Sequence, residues 1–367
     1  MTVRLRREIA EVPPYQQGRP APEGGFKLSS NENPFPPLPA VVEAVQREAE
    51  RVNRYPRPGA PDLKAALAAE LGVEAERILI GDGSASLLQQ LIHAVAGPGD
   101  EVVYAWRSFD AYPLFVRTGG ATPVEVPLTA DHEHDLEAMA AAITERTRAV
   151  IVCSPNNPTG TIVGAEELDA FLDRIPADVL VMLDEAYVEF VREPTFDGID
   201  QQRRRDNVVV LRTFSKAHGL AGLRVGYAVG DPAVLFGADV AGVPLSQTAL
   251  ASSAAIAALE HVGETFARIE VLAEQRDALW HRLVDAGVPA PRPHGNFLWV
   301  PSRPGQEERI HDILFSERIV AKVFPEGTRI SIGEPESFDH VLAAAVRIQE
   351  LQTDAPAAAE RQEASSL

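Results

Sequence analysis

The chain has 367 residues, 34 basic against 53 acidic side chains and a formal net charge of −19. Such an acidic balance argues against nucleic acid or an anionic lipid surface as a partner. The length allows a large core and two domains, while a single cysteine, Cys153, excludes an internal disulfide or a zinc cage.

In chain order, residues 1–40 are rich in proline (Pro13, Pro14, Pro20, Pro22) and read as an extended arm. LKAALAAELG (63–72) reads as a helix, RILIGDGS (77–84) as a strand and turn, and ASLLQQLIHAVA (85–96) as a helix. DEVVYA and ATPVEVPL are strands, LEAMAAAI a helix, AVIVCSP a strand and AEELDAFLDRI a helix. VLVMLDE, NVVVLRT and RVGYAVG complete a seven-strand set. Strands alternating with helices predict an α/β protein with a mostly parallel sheet covered on both faces. One long helical run, 248–287, leaves this unit, and NFLWVP, a helix around Ile310, IVAKVF and TRISIG form a smaller α+β domain. The expected division is an arm at 1–40 joining the small domain, a large domain at 41–245, a small one at 246–352, and a disordered tail at 353–367. No apolar run approaches the ~18 residues of a membrane span. The N-terminus lacks the apolar core of a secretory signal. A cytoplasmic protein without membrane, nucleic-acid or metal partners is expected.

Three strand ends carry the chemistry. VVVL is followed by TFSKAHGLAGLRVGY, which sets Lys216 among small and hydroxyl residues just past a buried strand. A lysine there suits an amine that sheds its proton in a shielded pocket and condenses with a carbonyl. VIVCSPNNPTG ends a second strand in a proline-stiffened loop that presents Asn157. VLVMLDEAYVEF ends a third in Asp184, with Tyr187 three residues on. Such a pair can hold the two sides of a heteroaromatic ring, the carboxylate on a ring N–H and the phenol on a ring hydroxyl. In open α/β sheets ligands bind outside the carboxyl ends of the strands, so all four residues fall on one rim. GDGSAS adds a tight turn at Gly83, Ser84 and Ala85 that opens a helix, a donor set for a phosphate. No G-x-x-x-x-G-K-[ST] loop is present.

The ordered set resembles the pyridoxal-phosphate enzymes of the aspartate-aminotransferase fold (fold type I). Within them it resembles the histidinol-phosphate aminotransferase branch, through SSNENPF, NRYP, SPNNPTG, DEAY and SKAHGLAGLRVGY, over roughly residues 5–350. GDGSASLLQQL and YAWRSFDAYP are similar to the actinobacterial aromatic (phenylalanine) aminotransferase group of that branch. The resemblance implies pyridoxal 5′-phosphate as cofactor, joined to Lys216 as a Schiff base. It further implies Asp184 on the ring nitrogen, Phe109 stacked on the ring, and Ser215 and Arg224 completing the phosphate cup. Tyr55 would reach the phosphate of a neighbouring subunit, so the active site would span a homodimer. Arg329 would grip the substrate carboxylate, with Asn31 and Tyr15 on an arm over the side-chain pocket. Lys322 stands where both groups usually carry arginine, keeping the charge but losing the fork, and His218 stands where tyrosine is usual. The implied activity is transfer of the amino group of an aromatic amino acid to 2-oxoglutarate. The alternatives are histidinol phosphate as substrate, a carboxy-lyase acting on phosphorylated amino acids, and a catalytically silent binding domain.

Overall fold

The computed structural model describes residues 3–10 and 21–364, with residues 7, 8 and 353–364 described by their backbone alone. Its strands are β1 (Phe26–Lys27), β2 (Ile78–Gly81), β3 (Glu101–Trp106), β4 (Thr122–Pro127), β5 (Thr147–Cys153), β6 (Leu180–Asp184), β7 (Val208–Thr213) and β8 (Gly226–Val229), followed by β9 (Phe297–Pro301), β10 (Ile319–Val320), β11 (Lys322–Phe324) and β12 (Gly327–Ser331). All seven strands expected for the main sheet form it, in the order β2-β8-β7-β6-β5-β3-β4. Six point the same way, and β8 runs against them, antiparallel to both of its neighbours.

The period-2 rule of a strand sorts the sheet's apolar residues onto two covered faces. Val103, Val150, Val181, Val208 and Val210 point to one face, where the helices Pro39–Ala49, Pro61–Leu71 and Ala249–Glu260 lie. Val102, Ile151, Met182, Val209 and Leu211 point to the other, under the helices Ser84–Val95, Tyr112–Gly119 and Pro232–Ala241. With both faces buried, the parallel strands read as near-continuous apolar runs. Register keeps their carboxyl ends level: Cys153 faces Asp184, and Asp184 faces Leu211.

A three-stranded antiparallel sheet, β11-β12-β9, packs with the helices Val262–Asp285 and Glu307–Ser316 on a separate core. That core reaches the main sheet's rim through Tyr187, Phe190 and Ala217. The arm joins here as well, since β1 pairs with β10.

Local signals account for where the elements differ from expectation. The helical run from Thr248 breaks at His261, whose backbone leaves the helical region and whose Nδ1 meets the Ala257 carbonyl at 2.9 Å. The helix Pro232–Ala241, not expected, begins on an Asp231 cap that accepts from the Ala233 N–H, with proline in its first turn. The last helix runs Phe338–Ala364, through the segment expected to be disordered. Ala357, Ala358 and Ala359 there carry the highest helix propensity.

Candidate active site

One cavity of about 730 Å³ opens at the level ends of β5, β6 and β7, closed on its far side by β11 and β12. Ser84, Ala85, Phe109, Asn157, Asp184, Tyr187, Ser215, Lys216, Arg224, Lys322 and Arg329 all line it, as do Glu32, Asp110 and Cys153. Residues from separate sequence motifs thus meet in one space.

Asp184 forms the floor and is 4 % exposed. Its Oδ2 accepts from the Tyr112 hydroxyl at 2.6 Å and its Oδ1 from the Ala186 N–H at 3.3 Å. Burial pushes its carboxyl up to about 6, against the Tyr112 bond, which lowers it. Behind it, burial pushes the Cys153 thiol up to about 12 and keeps it protonated.

Lys216 follows β7 by three residues, and its Nζ donates to the Ser30 carbonyl at 2.9 Å. Its amine is pushed down to about 7, first by burial and then by the nearby charges of Arg329 and Arg224. Glu32 and Asp184 oppose that shift. An amine so placed loses its proton near neutrality. The Tyr187 hydroxyl accepts from Asn31 Nδ2 at 2.9 Å, and burial raises its pKa well above the usual phenol value, so it stays a proton donor.

At one end of the cavity, Gly83 precedes the helix Ser84–Val95, which has no side-chain cap, so its first N–H groups are presented as donors. Gly83 sits at φ +83°, and a Cβ there would lie 2.4 Å from the Arg224 guanidinium. A Cβ on Gly226 would lie 2.5 Å from the Ser84 nitrogen, so the turn rests directly on the start of β8. Arg224, itself left-handed at φ 56°, donates to Ser215 Oγ at 3.1 Å and to the carbonyls of Ala221 and Asp82. Hydroxyl, guanidinium and helix N–H groups converge there, a built anion cup.

At the other end, Arg329 on β12 is 8 % exposed and donates to Asn157 Oδ1 and the Ser29 carbonyl. Asn31 is fully buried and left-handed at φ 52°. Such a backbone costs about 1–3 kcal/mol, and four hydrogen bonds hold it. Its N–H donates to Ser331 Oγ, its carbonyl accepts from Asn296 Nδ2, its Oδ1 accepts from Ser331 Oγ, and its amide reaches Tyr187. The Phe109 ring stands edge-on to Tyr112, centroids 5.5 Å apart. Lys322 Nζ lies 3.0 Å from Asp110 Oδ2.

The family-wide description "Aminotransferase class I and II" matches residues 23–344. The chain belongs to the class I and II aminotransferase family. It is 48% identical over 345 residues to an aromatic amino acid aminotransferase from Rhodococcus jostii, covering 94% of this chain and 95% of that one. It is 45% identical over 341 residues to one from Corynebacterium glutamicum, covering 93% and 98%. Among solved structures it resembles the histidinol-phosphate aminotransferase from Sinorhizobium meliloti in complex with pyridoxal-5′-phosphate. The TM-score is 0.85, with 29% identity over 96% of this chain and 99% of that one.

In this aminotransferase Gly83, Asn31 and Tyr55, singled out in the sequence, are not part of the cavity's lining. Gly83 and Asn31 still bond or pack against residues that line it, Tyr55 is 84 % exposed, and Tyr15 lies outside the described residues. The structure adds Tyr112, Asp110, Ser30 and Cys153. Tyr112 lies 72 residues before the carboxylate it bonds, so no local pattern marks it. Cys153 is 2 % exposed and also borders the cavity. His218 stacks at 4.7 Å on Phe214, and burial pushes its imidazole down to about 4, so it stays neutral. Among the described residues no cluster of His, Cys, Asp or Glu is arranged to hold a metal.

Proposed function

We propose that the cavity binds pyridoxal 5′-phosphate and that the protein transfers the amino group of an aromatic L-amino acid to 2-oxoglutarate. The observation that carries this reading is Asp184. A carboxyl buried on the floor of an open cavity, forming no ion pair among the described residues, fits a cationic ring nitrogen opposite it. The far end fits a phosphate monoester, with Gly83, Ser84, Ala85, Ser215 and Arg224 converging on it.

When bound, the cofactor supplies an aldehyde for amines and a ring that draws electron density from the substrate Cα. Asp184, ionised by the cation it faces, holds the ring nitrogen protonated, and Tyr112 fixes the carboxylate's orientation. Tyr187, protonated and oriented by Asn31, donates to the ring hydroxyl oxygen, with Asn157 beside it. Phe109 covers one ring face. Lys216 both anchors the cofactor and moves the proton. With its amine near pKa 7 it would be the group that takes the proton from the substrate Cα and holds it for return. Arg329 grips the substrate carboxylate, a task for a planar fork that an ammonium performs poorly. Asn31 belongs to the arm that closes over the substrate.

The aromatic preference rests on likeness to the Rhodococcus and Corynebacterium proteins and on the apolar wall of Leu88, Phe109, Leu114 and Phe115. Screening amino donors against 2-oxoglutarate tests it: phenylalanine and tyrosine turn over well and histidinol phosphate poorly. A tenfold or so advantage for histidinol phosphate, about 1.4 kcal/mol in the transition state, reverses the assignment.

The same proposal makes the working enzyme a cytoplasmic homodimer in which Tyr55 crosses to the partner's phosphate. Its support is the tyrosine's position, exposed and outside the lining of its own cavity. No described helix is long and apolar enough to cross a membrane. Mixing an inactive Lys216→Ala protein with an inactive Tyr55 variant regenerates activity in heterodimers, and a fully active monomer in sedimentation rules the crossing out.

A further inference from the structure

The substrate end of the cavity carries an electrostatic problem. Lys322 on β11 and Arg329 on β12 are directly opposite each other in the antiparallel register. Cross-strand partners project from the same face, and like charges so placed repel. Both line the cavity. The two cations are held differently: Arg329 donates to two neutral acceptors, Asn157 Oδ1 and the Ser29 carbonyl, while Lys322 lies 3.0 Å from the Asp110 carboxylate. Asp110 comes from the loop after β3, so the ion pair joins the main sheet to the three-stranded one across the cavity's flank. Its two side chains are 22 % and 24 % exposed, open enough to exchange partners yet enclosed enough for the charge to be felt.

A single cavity must then take two side-chain classes, a neutral aromatic one and the distal carboxylate of the dicarboxylic acceptor. We propose that Asp110 is a specificity-determining residue that competes with the substrate's own distal anion for Lys322. With a neutral side chain bound, Lys322 stays on Asp110 and the wall is uncharged. With a dicarboxylate bound, Lys322 turns from Asp110 to the distal carboxylate, and the ion pair it must give up with Asp110 limits how tightly that carboxylate is held. Asp110 thereby sets the ratio between the two classes. The inference rests on the aminotransferase reading of the cavity and on a dicarboxylic acceptor.

Single-turnover half-reactions of the holoenzyme with glutamate alone and with phenylalanine alone test it. Asp110→Asn raises the glutamate-to-phenylalanine efficiency ratio about tenfold. Lys322→Met lowers that ratio by a similar factor, and the double variant behaves as Lys322→Met does, because Asp110 acts only through the lysine. A ratio within twofold of wild type in Asp110→Asn overturns the proposal. So does a double variant that keeps the rise, or a Lys322→Met protein that loses both substrates equally. The aromatic reading fails separately, if wild-type enzyme turns over histidinol phosphate better than phenylalanine, and the glutamate arm still tests Asp110.

Discussion

The two sides of the cavity are built differently. On the main-sheet side, Asp184, Ser215 and Lys216 sit on or just past the ends of adjacent strands, and Arg224 reaches Ser215 from nine residues away. On the opposite side, Arg329 is held by Asn157 and by the Ser29 carbonyl 300 residues away, and Asn31 by Ser331 across the same separation. The first side is a property of one sheet's register. The second exists only once the arm, the main sheet and the three-stranded sheet have come together, so under the proposed function the chemistry would belong to the sheet's rim and substrate choice to an assembled wall.

The sharpest way to break this contrast is at the rim. Lys216→Ala removes the proton-transferring amine, and turnover falls by about 10²–10⁴-fold while the cup of Gly83, Ser84 and Arg224 still retains cofactor. Rate and bound pyridoxal phosphate measured on the same sample check this, and near-normal turnover contradicts it. On the wall, Arg329→Lys keeps the charge and loses the fork. A hydrogen bond to a charged group is worth about 1.5–3 kcal/mol, so the KM for every amino donor rises by roughly 10- to 100-fold with a smaller change in kcat. Steady-state kinetics over several donors separates this from Lys322→Met, which discriminates among them.

The smallest effect is on stability, and its sign differs between the rim's two titrating groups. Lys216 has its amine near 7 when folded against an ordinary 10.5. Between those values the unfolded chain binds a proton that the folded chain does not, so this term makes the cofactor-free protein more stable as pH rises from 7 to 10.5. Asp184, near 6 when folded against 3.8, binds the extra proton in the folded state, and its term falls as pH rises between those values. Urea unfolding of cofactor-free wild type and Lys216→Met at pH 7 and 10 isolates the first term. The gain between the two pH values is smaller in the variant, and an equal gain contradicts the buried amine.

The same contrast explains what the sequence disclosed. Asn157, Asp184, Tyr187 and Lys216 each close an apolar strand with a short motif, and a level parallel register turns sequence order into spatial order, so the rim was legible. Arg329 was legible only by resemblance, because TRISIG alone says nothing about the loop it meets. Tyr112 and Asp110 act through partners 72 and 212 residues away, and no periodicity or turn signal encodes such a pairing. The helix at Pro232 is locally encoded, by an Asp231 cap followed at once by a first-turn proline. The segment after Thr353 lacks the large apolar residues of a packed element, yet its alanines favour helix.

The central claim is that the lysine at the end of β7 is the amine that holds the cofactor. Borohydride reduction of the holoenzyme, followed by digestion and peptide mass spectrometry, tests it directly. The account predicts one pyridoxyl-phosphate mass increment per chain, on the peptide containing Lys216, with loss of the visible absorbance band. An increment on another lysine, or none on a protein that still transaminates, would contradict it.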